Sequence, residues 1–221
     1  MMKYHLNHVE LIGRLHGLLY TSTNKNGDTF FDGTLAVQRL SGTVDYLPIT
    51  IPARLINNGC PTLGSLRKLE ECRRLRMVGE LRTYNKELPG KIRHHTVLLV
   101  REFKEENQAT DDNRVEMEGV ICKEPYFHET PFGREICSFT IAVNRSGGRS
   151  AYIPCICWGL TARKISTLEV GKKVALRGRF QSREYQKTLD NGEKETRTTY
   201  EVSCKCVDIV EVVEEWANGS V

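Results

Sequence analysis

The strongest constraint on this chain is that it repeats itself. Asn7-His8-Val9-Glu10-Leu11-Ile12-Gly13 returns 106 residues later as Asn113-Arg114-Val115-Glu116-Met117-Glu118-Gly119. The same spacing relates Tyr20 to Tyr126, Gly27 to Gly133, Arg39 to Arg145, and Tyr46-Leu47-Pro48 to Tyr152-Ile153-Pro154. It then falls to 99, relating Gly79 to Gly178, so the first copy carries about seven extra residues around 57–64. A period this long is a duplicated domain, since solenoid units run to roughly 20–50 residues.

The duplication sets the expected organisation: a first domain over 1–104, an acidic linker over 105–112, a second domain over 113–210 and a short tail over 211–221. Within each copy apolar residues alternate, the period of a half-buried strand. Val9, Leu11 and Leu15 share one face, as do Val115, Met117 and Ile121. Phe31, Leu35 and Val37 form a second strand, with Phe139, Ile141 and Val143 in the other copy. Third strands run over 46–51 and 152–158, and helices are predicted over 65–74 and 160–168. Two more strands close each copy, over 76–84 and 93–103, then over 173–185 and 197–210. Asp190-Asn191-Gly192 marks the last hairpin turn.

Three strands, a short helix and two strands in about 100 residues is the layout of the five-stranded Greek-key barrel, or OB-fold. Sandwiches and other small barrels have similar strand counts. The expected class is therefore all-β, two tandem OB-fold barrels, each with a short helix between its third and fourth strands.

Charge follows the same division. The net charge is only +4, but residues 1–104 carry 16 Lys and Arg against 9 Asp and Glu, and residues 113–210 carry 16 against 12. Two basic bodies suit a polyanion. No apolar run approaches the ~18 residues of a membrane helix, and the N-terminus lacks a signal-peptide stretch, so a cytoplasmic, nucleoid-associated protein without membrane contact is expected. In that reducing compartment the eight cysteines read as free thiols.

The second copy resembles the bacterial single-stranded DNA-binding protein family along nearly its whole length. The resemblance rests on Asn113-Arg114-Val115, Thr130-Pro131-Phe132-Gly133, Phe139-Thr140-Ile141-Ala142-Val143-Asn144-Arg145 and Tyr152-Ile153-Pro154-Cys155-Ile156-Cys157-Trp158-Gly159. It continues through Gly178-Arg179, Ser182-Arg183-Glu184-Tyr185 and Tyr200-Glu201-Val202. The first copy keeps Asn7, Val9, Ile12-Gly13-Arg14, Thr34-Leu35-Ala36-Val37 and Gly79, but has Pro52 for Trp158 and Lys86 for Tyr185, with Tyr84 two residues earlier.

The resemblance implies sequence-nonspecific binding of single-stranded DNA in replication, recombination or repair, with Tyr152, Trp158 and Tyr185 stacking bases. A general binder needs flat rings interleaved with cations, because every base has a π-face and every nucleotide a phosphate. The phosphate candidates are Arg145, Arg149, Arg183 and Lys187, with Arg39, Arg54, Arg82 and Lys86 in the first copy, where Tyr46 and Tyr84 are the candidate rings. Four barrels per assembly, the family's habit, imply a homodimer. The family's acidic, phenylalanine-ended tip is absent from Asn218-Gly219-Ser220-Val221, so recruitment of replication proteins through it is not expected.

Competing chemistries fare worse. Cys155-x-Cys157 and Cys204-x-Cys206 are spaced too closely for a zinc knuckle and read as small core hydrophobes, so no metal is expected. Residues 59–65 echo a phosphate loop without its Lys, and adjacent His94 and His95 point oppositely on a strand. No enzyme and no cofactor is expected. The alternative is a primosome-type OB protein serving as a protein-docking or RNA-binding module.

Overall fold

Alternating apolar residues in a chain this length give strands that must close on themselves to hide their edges. The computed structural model describes residues 6–58, 74–88, 91–107, 110–130, 132–145, 148–188 and 192–211. The first copy contains β1 (Asn7–Leu15), β2 (Tyr20–Thr23), β3 (Thr29–Gln38), β4 (Val44–Pro52), α1 (Ala53–Asn58), β5 (Leu75–Leu88) and β6 (Lys91–Glu105). The second contains β7 (Asp112–Ile121), β8 (Tyr126–Glu129), β9 (Glu135–Asn144), β10 (Ser150–Trp158), α2 (Gly159–Ser166), β11 (Lys173–Thr188) and β12 (Lys194–Ile209).

In the first copy β1 pairs with β5 through Val9–Gly13 and with β3 through Arg14 and Leu15, closing a barrel in the order β1-β3-β4-β6-β5. The second closes identically as β7-β9-β10-β12-β11. One parallel contact in each, Ile49 beside Leu98 and Cys155 beside Val202, is the Greek-key crossing. The inward faces meet as expected: Leu11, Leu47, Ile49, Leu81 and Leu98 are fully buried in one barrel, and Met117, Ile141, Ile153 and Phe180 in the other.

In each barrel a glycine of the fifth strand sits at a register shift against the sixth. The β5–β6 register shifts at Val78/Gly79, leaving Arg101 of β6 without an opposite residue, and the β11–β12 register at Arg177/Gly178, leaving Lys205 of β12 without one. A Cβ on Gly79 would lie 2.2 Å from the Leu99 carbonyl oxygen, and one on Gly178 2.2 Å from that of Ser203. No other residue type fits there without moving backbone.

The barrels join by a pseudo-two-fold relation. β1 and β7 run antiparallel with Val9 opposite Val115, the two positions that correspond in the repeat. The asparagine two residues earlier in each strand then pins its own barrel. Asn7 Nδ2 donates to the Leu81 carbonyl while the Leu81 N–H donates to Asn7 Oδ1, both at 3.0 Å. Asn113 repeats this with Phe180, at 2.7 and 2.8 Å.

Of the stretch expected to be a linker, Glu105 ends β6 and Asp112 opens β7. Asp111 is held by Arg74 Nε at 2.6 Å and by the Gln38 N–H at 2.9 Å. The helix expected over 160–168 is α2, whose Ala162 and Ile165 are buried against the barrel. Its expected counterpart over 65–74 lies outside the described residues apart from Arg74. The six-residue α1 carries no helical period in the sequence, and among its described side chains only Ile56 is buried.

Candidate nucleic-acid interface

Strand alternation sorts β10 into two faces. Ala151, Ile153, Cys155 and Cys157 point inward and are buried, while Tyr152 and Trp158 face out, 58% and 40% exposed. Tyr185, 39% exposed, stands on the β11–β12 hairpin where it leaves the barrel. Tyr152 and Tyr185 line one groove of about 550 Å³ together with Lys123 and Arg197. Its opposite wall comes from the first copy, from Thr83, His94 and His95. The Tyr152 N–H donates to Thr83 Oγ1 at 3.0 Å, which holds the two walls together.

Trp158 lines a different pocket, of about 450 Å³, with Arg39, Arg134, Arg179 and Arg183. The expected stacking trio is therefore divided between two adjoining depressions. Arg183 is bound to Glu201 at 2.9 Å, which raises its pKa, and its guanidinium carbon lies 6.0 Å from the Tyr185 ring centre. Arg39 is bound to Asp45 at 2.6 Å, also raising its pKa. Asp45 is only 1% exposed and accepts the Ser182 N–H at 2.9 Å, so this ion pair ties the barrels together.

The other expected cations are dispersed. Arg145 and Arg149 flank the turn between β9 and β10, where the Arg145 N–H donates to the Arg149 carbonyl at 2.8 Å. Arg149, Lys187 and Arg54 are exposed. Arg82 is 7% exposed and turned onto Glu80 at 2.6 Å. The Lys86 side chain lies outside the described residues. Among the first copy's rings, Tyr46 packs on His16 with centroids 4.6 Å apart, and Tyr84 stacks on His95 at 5.6 Å, its burial raising its pKa.

Sequence reasoning missed Lys123, Arg134 and Arg179, which line the two depressions. For Arg179 a signal was present: Arg179, Gln181, Arg183 and Tyr185 alternate along the outward face of β11. Tyr20 and Tyr126, which mark the repeat in the sequence, stand exposed at matching positions on β2 and β8.

Two closed five-stranded Greek-key barrels, with exposed rings set near arginines, define a pair of OB-folds. The profile of the single-strand binding protein family matches residues 112–210. Single-stranded DNA-binding protein A of Bacillus subtilis is 32% identical over 115 residues, 49% of this chain and 64% of that relative. Single-stranded DNA-binding protein 3 of Listeria innocua is 32% identical over 115 residues, 69% of its length. The chain belongs to the single-strand binding protein family, although it spans just under two thirds of the Bacillus relative. The first copy joins the likeness through the fold: wild-type single-stranded DNA binding protein from Thermus aquaticus superposes with a TM-score of 0.71 at 18% identity, covering 97% of this chain and 98% of that one. Among the described residues no helix is long and apolar enough to cross a membrane.

Proposed function

We propose that this protein binds single-stranded DNA without sequence preference, in replication, recombination or repair, and that it does so without catalysis. Tyr152, Tyr185 and Trp158 stack bases, while Arg145, Arg149 and Lys187 neutralise phosphates; Arg183, paired with Glu201, contributes less. The observation that carries this reading is the convergence of Tyr152 and Tyr185 on one groove beside the arginine-lined pocket of Trp158. Stacking on an exposed ring is worth about 1–3 kcal/mol per base and tolerates any base.

The binding units are residues 1–104 and 113–210, and the second is the main binder. Pro52 in place of Trp158, and Arg39 and Arg82 held on carboxylates, support a weaker first copy. Two chains assemble as a homodimer of four barrels in the cytoplasm, on the nucleoid.

The test is titration of intrinsic Trp fluorescence with dT and rU oligonucleotides at low and high salt, for wild type and Trp158→Ala. Quenching that is tighter for dT, weakens with salt and falls sharply in the variant is the expected result. No binding at low salt would leave a protein-docking barrel pair.

A further inference from the structure

Among the described residues, the pocket around Trp158 holds a half-buried cation that no carboxylate meets, Arg179, beside the exposed Arg134. Arg39 is taken by Asp45 and Arg183 by Glu201, at 2.6 and 2.9 Å. Arg179 has no such partner: its Nη2 meets only the neutral Gln181 amide oxygen, at 3.1 Å, and its buried Nε has no hydrogen bond. No carboxylate lines this pocket among the described residues, although Arg179 also borders a second cleft that Asp45, Asp111 and Asp112 line without a hydrogen bond to it. Desolvation, and then the neighbouring Arg39 cation, pull the Arg179 pKa below its ordinary value, with Asp45 opposing them. A half-buried charge held beside another cation is costly to the fold. Its location makes chemical sense if an anion completes it.

The first copy lacks the arrangement. At the position corresponding to Arg179 stands Glu80, which pairs with Arg82 at 2.6 Å and also with Arg101, and Pro52 replaces the indole. There the carboxylate is supplied from within.

We propose that Arg179 is the phosphate-binding cation at the centre of this pocket, seating a phosphodiester of the single strand beside Trp158, and that only the second barrel carries such a seat. The proposal rests on the reading of the chain as a single-strand binder. A phosphate that met both the unspent guanidinium and the pocket's remaining arginines would be held by charge-assisted hydrogen bonds. It would also register the neighbouring base on the indole.

The experiment is binding of a dT oligonucleotide across a salt series to wild type, Arg179→Gln and Arg179→Lys, with the melting temperature of each free protein. Arg179→Gln is expected to weaken binding roughly tenfold at low salt. It should make the slope of log affinity against log salt shallower by about 0.7, the value of one phosphate on a single strand. Arg179→Lys should keep the slope, and the melting temperature of Arg179→Gln should stay equal or rise. An unchanged slope in Arg179→Gln, or a variant that melts early or fails to fold, would overturn the proposal by giving Arg179 a structural duty. Absence of wild-type binding at low salt would instead overturn the reading beneath it.

Discussion

Thr83 Oγ1 accepts the Tyr152 N–H at 3.0 Å, and the position that corresponds to it in the repeat, Ser182, accepts the Tyr46 N–H at 3.3 Å. Each barrel therefore offers a hydroxyl to the aromatic-bearing strand of the other. On one side the ring so held lines the larger groove; on the other it lies against His16. Thr83→Val keeps the side-chain shape and removes the acceptor. It is expected to cost about 1 kcal/mol of stability. It should also loosen dT binding by shifting the groove wall, readable by urea denaturation and by titration.

Removing a ring should separate the two copies. Tyr152→Ala is expected to weaken dT binding by about 1–3 kcal/mol, the worth of one stacked base. Tyr46→Ala should cost less, because that ring already packs on His16. Fluorescence titration of both variants decides the order, and a larger loss from Tyr46→Ala would reverse the assignment of the main binder.

Asp45 joins the barrels as a buried acceptor for Arg39 and for the Ser182 backbone. Asp45→Ala leaves the guanidinium and the N–H without their partner. A loss of about 3 kcal/mol is expected, since breaking a buried pair strands the remaining charge. The second copy has a buried alanine, Ala151, at the corresponding place and needs no such pair. Chemical denaturation checks the figure.

Alkaline conditions should destabilise the protein through its thiols. Burial pushes Cys137, Cys155 and Cys157 above the ordinary value of 9.0. Folded thiols thus stay protonated where unfolded ones ionise. Unfolding then releases protons, so stability is fully present below about pH 9 and declines as pH rises above it. Urea midpoints at pH 8 and pH 10 measure the decline. Among the described thiols, reagents should reach the half-buried Cys122 and Cys206 first, and Cys137, Cys155, Cys157 and Cys204 only on unfolding.

Gly178→Ala drives a Cβ into the Ser203 carbonyl at the register shift between β11 and β12. A cost of about 2 kcal/mol or more is expected. Gly133→Ala, at a turn with open space around it but a φ of +70°, should cost only about 1 kcal/mol. Thermal melts of the two variants compare them.

Much of this architecture was legible because it rests on short-range periodicity. The spacings of 106 and 99 reappear as paired contacts: Val9 with Val115, Asn7–Leu81 with Asn113–Phe180, and Thr83–Tyr152 with Ser182–Tyr46. Alternation also sorted Tyr152 and Trp158 from Ile153, Cys155 and Cys157. It failed where a strand buries neither face. β2 and β8 are mostly exposed, and β11 runs to Thr188 through polar residues that carry no hydrophobic rhythm. The charges were least legible. Whether Arg39, Arg82 or Arg183 is available depends on Asp45, Glu80 and Glu201, neighbours that only the barrel closure and the joining of the barrels bring within reach.

The seam between β1 and β7 belongs to one polypeptide. In an assembly of identical subunits every substitution is imposed on both sides of the symmetry axis at once, and a change useful on one side must be tolerated on the other. Covalent fusion lifts that rule. Asp45 and Ala151 stand at equivalent points of the repeat, one charged and bonded across to the other barrel and one apolar, a combination that no pair of identical chains can hold. Each half of this protein is therefore free to drift toward its own task while the seam keeps them together.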